Sequence, residues 1–288
     1  MISNVLIVGL GGVGSVYASK IKDAKILLDK NRLKKYINTP TEINGQKYKF
    51  DYVTSENPFN ADLIIIATKF YNLDEVLENI KKFVSKNTII ISLLNGISSE
   101  EIISKQYPEA TVIQSYLICN SIIRQNRKII HDDFNKIVID KNQDLEQFFK
   151  VNNINYEISK DIKSDLWQKF MLNIIANQLS AVTLKTFGEM NSSSKVKSLL
   201  PKILEEVIHI AKAEGINTPE TLAQQAIKTF KNMAPYGKTS MLQDIENNKQ
   251  TEIDAFAGTV IKLGEKYNIP TPYNNVFYFL LSQRRIEK

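Results

Sequence analysis

MISNVLIVGLGGVGSV, residues Met1 to Val16, sets an apolar run, Val5 to Val8, directly against Gly9-Leu10-Gly11-Gly12-Val13-Gly14, with Val16, Ala18 and Ile21 following. The order is strand, tight glycine turn, helix start. A dinucleotide uses each part: Gly9 permits the turn, Gly11 lets the backbone approach a pyrophosphate, and Gly14 lets the helix pack closely on the strand. The phosphates would rest on the unpaired N–H groups and positive dipole end of that helix. Glycine turns after strands are common, so the surroundings matter. A second apolar run, Ile26 to Leu28, ends in Asp29, 20 positions after Gly9. There the fingerprint places the acid that reads the adenosine ribose.

Outward from this stretch the composition is that of a globular chain, with 288 residues, 43% hydrophobic and 24% charged. That length allows two domains of ordinary size. No apolar run approaches the roughly 20 residues a membrane-spanning helix needs, and Leu63 to Ala67 is typical of the longest. The single cysteine, Cys119, excludes an internal disulfide, and no basic leader precedes the glycine turn, so a reducing, cytoplasmic location is expected. Cys119 ends the apolar run from Tyr116 and is expected to be buried. The net charge of +6 is scattered, without a basic arm or nucleic-acid module. It reads as a solvated lysine-rich surface with mild attraction for anionic metabolites, not as a nucleic-acid or membrane binder.

Further along, Lys30 to Tyr36 reads as a helix, and Glu42 to Asn44 with Lys47 to Val53 as a hairpin joined near Gly45. Strands are expected at Leu63 to Ala67 and Thr88 to Leu94, with an amphipathic helix from about Leu73 to Val84 between them. This alternation predicts a mainly parallel, doubly wound sheet of the Rossmann type. Ligands of such sheets bind beyond the carboxyl ends of the strands, which singles out Lys69 and Asn95 with Gly96. Lys69 would neutralise an anion and Asn95 hold a ribose or carboxylate; equally, a surface lysine and an ordinary Asn-Gly turn fit these positions. Thr111 to Leu117, Lys128 to His131, Lys136 to Asp140 and Ile154 to Ile158 read as strands, the middle two as a possible hairpin, and Asp144 to Phe149 as a short helix. His131 and His209 are too separated to make a metal site.

After Ser159 strand patterns stop. The domain boundary is placed there, with residues 1–159 binding the dinucleotide and 160–288 forming an all-helical substrate and catalytic domain. Helices are expected at Lys163 to Asn177, Lys195 to Glu214, Pro219 to Asn232, Thr251 to Tyr267 and Asn274 to Arg284. In the first, Lys169, Asn173 and Asn177 recur at intervals of four, so they share one stripe about 12 Å long. Phe170, Met171, Ile174 and Ile175 take the other faces. One cation and two amides so aligned suit a small oxygen-rich anion. A lysine ammonium can stabilise charge developing on a carbonyl oxygen and surrender its proton to it, although a snorkelling surface lysine fits the same position. Ser240 reads as a helix N-cap with Gln243 completing a capping box, and Glu252 as an acid near a helix start.

Taken together, the GLGGVG turn, Ala67-Thr68-Lys69, Leu94-Asn95-Gly96, WQKxxxNxxxN at 167–177 and TSMLQDIENNKQTEID at 239–254 resemble the ketopantoate reductase (2-dehydropantoate 2-reductase) family over nearly the whole chain. The resemblance implies NADPH-dependent reduction of ketopantoate to pantoate, in the interdomain cleft, on the route to pantothenate and coenzyme A. It implies Lys169 as the general acid, Asn173 and Asn177 on the substrate hydroxyls, Ser240 on its carboxylate and Glu252 as a further catalytic residue orienting substrate or cofactor. The cofactor would contact Gly9, Leu10, Gly11, Gly12, Val13, Gly14, Lys69 and Asn95. Relatives commonly carry an arginine past the second strand for the 2′-phosphate of NADPH. This chain reads Leu28-Asp29-Lys30-Asn31-Arg32, so Lys30 and Arg32 are assigned that role, with NAD kept open by Asp29. Phe187 stands where some relatives have asparagine. A reductase of another 2-keto acid and a non-catalytic NADP(H) sensor are the alternatives, and either a monomer or a homodimer is expected.

Overall fold

The computed structural model describes residues 2–119, 122–132 and 134–283. The chain divides into two compact units, Met1–Ile162 and Lys163–Lys288. Strands of the first unit are β1 (Val5–Val8), β2 (Lys25–Leu27), β3 (Thr41–Ile43), β4 (Gln46–Tyr48), β5 (Asp51–Val53), β6 (Leu63–Ile66), β7 (Ile89–Ser92), β8 (Thr111–Ile113), β9 (Ser115–Cys119), β10 (Ile122–Gln125), β11 (Lys128–His131), β12 (Asn135–Ile139) and β13 (Tyr156–Ile158). Its helices are α1 (Gly12–Lys20), α2 (Lys30–Tyr36), α3 (Leu73–Ile80), α4 (Ser99–Gln106) and α5 (Gln143–Val151).

The order β5-β2-β1-β6-β7-β8 makes a six-stranded sheet, parallel throughout. Successive side chains of a strand point to opposite faces, and here both faces are covered. Val5, Ile7, Leu63, Ile65, Ile89 and Ile91 pack with Tyr17 of α1 and Phe149 of α5. Leu6, Val8, Ile64, Ile66 and Ile90 pack on the other side with Leu73 and Leu77 of α3 and Ile103 of α4. This is the doubly wound α/β arrangement that the apolar runs predict. Chain order reverses between β1 and β6, so the turn after β1 opens where such sheets leave a crevice.

Several strand pairings differ from expectation. The hairpin is real but ends early: β3 and β4 pair antiparallel around Asn44 and Gly45, both at positive φ, while Asp51–Val53 leaves it to become the sheet edge beside β2. Thr111 to Leu117 is two strands, β8 extending the parallel sheet and β9 pairing with β12. Nor do β11 and β12 form a hairpin. β11 lies between β10 and β3, and β12 between β9 and β13. Their burial separates them: Ile129 is buried beside an exposed Ile130, whereas Ile137, Val138 and Ile139 are all buried and need cover on both faces. Cys119 is exposed rather than buried, because burial falls away along β9 toward its end.

The second unit is helical: α6 (Ile162–Thr183), α7 (Phe187–Ser192), α8 (Ser194–Ala213), α9 (Pro219–Lys231), α10 (Ser240–Glu246), α11 (Ala257–Tyr267) and α12 (Pro272–Ser282). The segment expected as one helix from Thr251 is broken, because Phe256 (φ −107°, ψ −93°) separates a short 3-10 turn, Ile253–Ala255, from α11. Arg284, the last residue of the expected final helix, lies outside the described residues. α7 is absent from the expected helices, yet Thr186 and Glu189 form the capping box that starts it. Within the core, Gln178 donates to Asn274, and the carboxylate of Glu206 accepts from the Asn274 side chain and from the backbone N–H groups of Tyr273 and Asn274 at the start of α12. No helix among the described residues is long and apolar enough to cross a membrane.

Candidate active site

At the carboxyl edge of the parallel sheet the glycines divide their roles. Gly9 has φ +101°, and a Cβ on it would lie 2.5 Å from the Ala67 carbonyl oxygen. A Cβ on Gly14 would collide with the Gly9 carbonyl, so both positions are closed by the protein's own packing. Gly11 is different: nothing lies within 4 Å of where its Cβ would be, so this side of the turn stays open to a ligand. Leu10 is buried beneath the turn, Val13 packs on the core, and a Cβ on Gly12 would meet Ile122 Cγ2 of β10 at 2.6 Å.

Lys69 and Asn95, both half-buried, follow β6 and β7 on this same edge. Beside them the hydroxyls of Thr68 and Ser98 are buried without a hydrogen-bond partner among the described residues. An orphaned buried hydroxyl carries a desolvation cost of about 1–3 kcal/mol, which a polar ligand at this edge would relieve. The open turn and the two hydroxyls therefore fit a phosphate- and ribose-bearing group.

At the end of β2, Asp29 caps α2. Its Oδ1 accepts from the backbone N–H groups of Asn31 (2.9 Å) and Arg32 (2.8 Å). Its Oδ2 lies 3.3 Å from Arg32 Nε, and Lys30 Nζ lies 2.6 Å from Glu56 Oε1. Both cations assigned to a 2′-phosphate are thus ion-paired.

In the second unit α6 is anchored by Trp167, Phe170, Met171, Ile174 and Ile175, all buried. Burial of those faces fixes the rotation of the helix, and with it the stripe. Along the stripe Lys169 and Asn173 are half-buried and Asn177 is 6% exposed. Asn177 Nδ2 donates to Asn173 Oδ1 at 3.2 Å, while Asn177 Oδ1 accepts from Ser240 Oγ at 3.3 Å and from the backbone N–H of Met241 at 3.4 Å. Asn173, Asn177 and Ser240, 67 positions apart in sequence at the extremes, are therefore one hydrogen-bonded group. Its two amides run head to tail, leaving the Asn173 NH2 to donate elsewhere.

Ser240 is not the N-cap expected. Thr239 is, in extended conformation, its hydroxyl accepting from the Leu242 N–H at 3.1 Å; Ser240 is the first helical residue, which frees its hydroxyl for Asn177. The Thr239 hydroxyl also meets that of Ser180 on α6, and Ser180 donates to the Asn177 carbonyl at 3.1 Å. Sequence reasoning missed Ser180, although it stands one turn past Asn177 on the same helix. The loop leading to Thr239 is held in turn by α7, whose Phe187 and Gly188 N–H groups donate to Gly237 and Pro235. Phe187 itself is buried against Phe230. Glu252 is buried, 5% exposed, just before the 3-10 turn. His131 is half-buried with its ring on the Asp132 carbonyl, and His209 is exposed on α8. Among the described residues no cluster of three or more His, Cys, Asp or Glu is placed to hold a metal.

An α/β unit with an open glycine turn at its switch point, joined to a helical unit bearing a cation-and-amide stripe, is the build of a dinucleotide-fold oxidoreductase. Comparison with known proteins narrows this. Residues 5–144 match the family model described as ketopantoate reductase PanE/ApbA, and residues 161–285 match that for the ketopantoate reductase PanE/ApbA C terminal. The chain belongs to the ketopantoate reductase family. It is 26% identical to 2-dehydropantoate 2-reductase of Aquifex aeolicus, over 95% of this chain and 94% of that protein. It is 24% identical to the uncharacterized oxidoreductase YkpB of Bacillus subtilis, over 98% of this chain and 99% of that one. In fold it is similar to D-mandelate dehydrogenase in complex with NADH, with a TM-score of 0.88 at 21% identity, covering 98% of this chain and 99% of the other.

Proposed function

We propose that the protein reduces a small branched 2-keto acid to the 2-hydroxy acid with a nicotinamide dinucleotide, ketopantoate being the first substrate to test. The observation that carries this is the hydrogen-bonded group that Asn173 and Asn177, on the helix that also presents Lys169, make with Ser240 of α10. When bound at the glycine turn of the first unit, the reduced cofactor supplies the hydride. The Asn173 NH2 and Ser240 region would hold the carboxylate and hydroxyl oxygens of the substrate, since the head-to-tail amides offer donors to it. Lys169 would steady the negative charge that grows on the keto oxygen and deliver a proton to that oxygen, completing the hydroxyl. Half-burial strengthens this contact by excluding part of the water that would screen it. In reverse, the neutral lysine would take the hydroxyl proton. Glu252 would orient substrate or cofactor, and Lys69 and Asn95 the cofactor.

A second reading, in which the acid is a different one, is supported by D-mandelate dehydrogenase sharing this fold over nearly the whole chain. Cofactor oxidation with a panel of 2-keto acids, including ketopantoate and the keto acid corresponding to mandelate, tests both readings. Ketopantoate should give the highest kcat/KM; a higher value for another acid supports the second reading, and tight cofactor binding without turnover of any acid supports a sensor. Lys169→Ala should lower kcat by about 100-fold or more while cofactor affinity stays within about twofold. Unchanged kcat would remove Lys169 from the chemistry.

A further inference from the structure

The corner beyond β2 and β5 is charged differently from what the local sequence suggests. Leu28-Asp29-Lys30-Asn31-Arg32 offers two cations and one acid, an excess of positive charge that would suit a 2′-phosphate. Pairing of β2 with β5 (Leu27 opposite Val53) carries a second acid there: Glu56, just past β5, whose carboxylate lies 2.6 Å from Lys30 Nζ. Arg32 is matched likewise by Asp29, at 3.3 Å. The four side chains are formally neutral together. We propose that Glu56 is a cofactor-specificity residue: by holding Lys30 and cancelling its charge it makes this corner reject a 2′-phosphate, so that the chain takes NADH in preference to NADPH.

The inference rests on the dinucleotide reading of the first unit and departs from the NADPH expected by resemblance. Exposed ion pairs of this kind add little to stability. Their effect here is on local potential, which reaches across a few ångströms within the Debye length of about 8–10 Å. A 2′-phosphate carries a charge of about −1.5 to −2. To bind, it would have to pull Lys30 from Glu56 or lie beside two carboxylates. A ribose diol brings no charge, and Asp29, with Oδ1 already engaged by α2, can accept from it through Oδ2.

The test is calorimetric titration of the whole protein, at low salt, with ADP-ribose and with 2′-phospho-ADP-ribose, for the native chain, Glu56→Gln, Lys30→Ala and the double variant. The native chain should bind ADP-ribose about tenfold more tightly. Glu56→Gln should raise affinity for the 2′-phosphorylated ligand about fivefold and leave ADP-ribose within about twofold. Lys30→Ala should change little alone yet abolish that gain in the double variant. Native preference for the phosphorylated ligand, or a Glu56→Gln effect absent or equal for both ligands, overturns the proposal while leaving the dinucleotide site standing. If neither ligand binds to any variant, the dinucleotide reading falls and the proposal with it.

Discussion

Asn177 is the residue on which the polar stripe turns. Its amide donates to one neighbour and accepts from two others, and at 6% exposure water cannot easily replace a lost partner. Asn177→Asp keeps the shape and removes the donor, placing a carboxylate oxygen against Asn173 Oδ1. Asn173 would then have to turn its NH2 inward. KM for the keto acid should rise about tenfold or more, with the loss of one charge-bearing contact worth roughly 1.5–3 kcal/mol; unchanged KM would show that the relay does not serve binding. The stripe itself was legible because fourfold spacing on a helix fixes a shared face. Which hydroxyl caps α10 was not: Thr239 and Ser240 are chemically alike, and only the extended backbone at Thr239 decides between them. Glu56 was invisible for another reason. Its partnership with Lys30 exists only because a strand left its hairpin and settled beside β2.

Among elements, the continuous apolar runs of β1, β6 and β7 declared themselves, since a strand covered on both faces needs no polar alternation. The pairings of β5, β9 and β12 did not, because nearness in sequence suggests hairpins whereas burial demand sends strands to distant partners. The start of β1 is fastened to the start of β6 by Asp62, whose Oδ2 accepts from the N–H groups of Ser3 (2.9 Å) and Asn4 (2.8 Å) and from the Ser3 hydroxyl (3.0 Å). Burial pulls its pKa upward, but those donors outweigh it and hold the carboxyl below the usual aspartate value. A depressed folded pKa gives stability that is complete above the unfolded value, about 3.9, and is lost as pH falls through the lower folded one. Asp62→Asn should therefore flatten the acid limb of a Tm-against-pH profile below about pH 4 relative to the native chain. Parallel profiles would contradict this account of the clamp.

At the scale of the whole molecule, the two units each have a core and a candidate ligand set of their own. Hydrogen exchange should display that division. ADP-ribose is expected to slow exchange around residues 9–14, 67–69 and 95–98, and a keto acid around residues 169–180 and 239–242. Protection by ADP-ribose confined to the second set would reverse the assignment of roles. One contact in the first unit has a bearing on descent. Ile122 of β10 reaches over Gly12 so closely that the turn and the neighbouring small sheet share a steric boundary. Positions 12 and 122 should consequently drift as a pair: in lineages where alanine replaces the glycine, a smaller side chain is expected opposite it, and the history of the nucleotide turn would be written partly in a strand more than a hundred residues away.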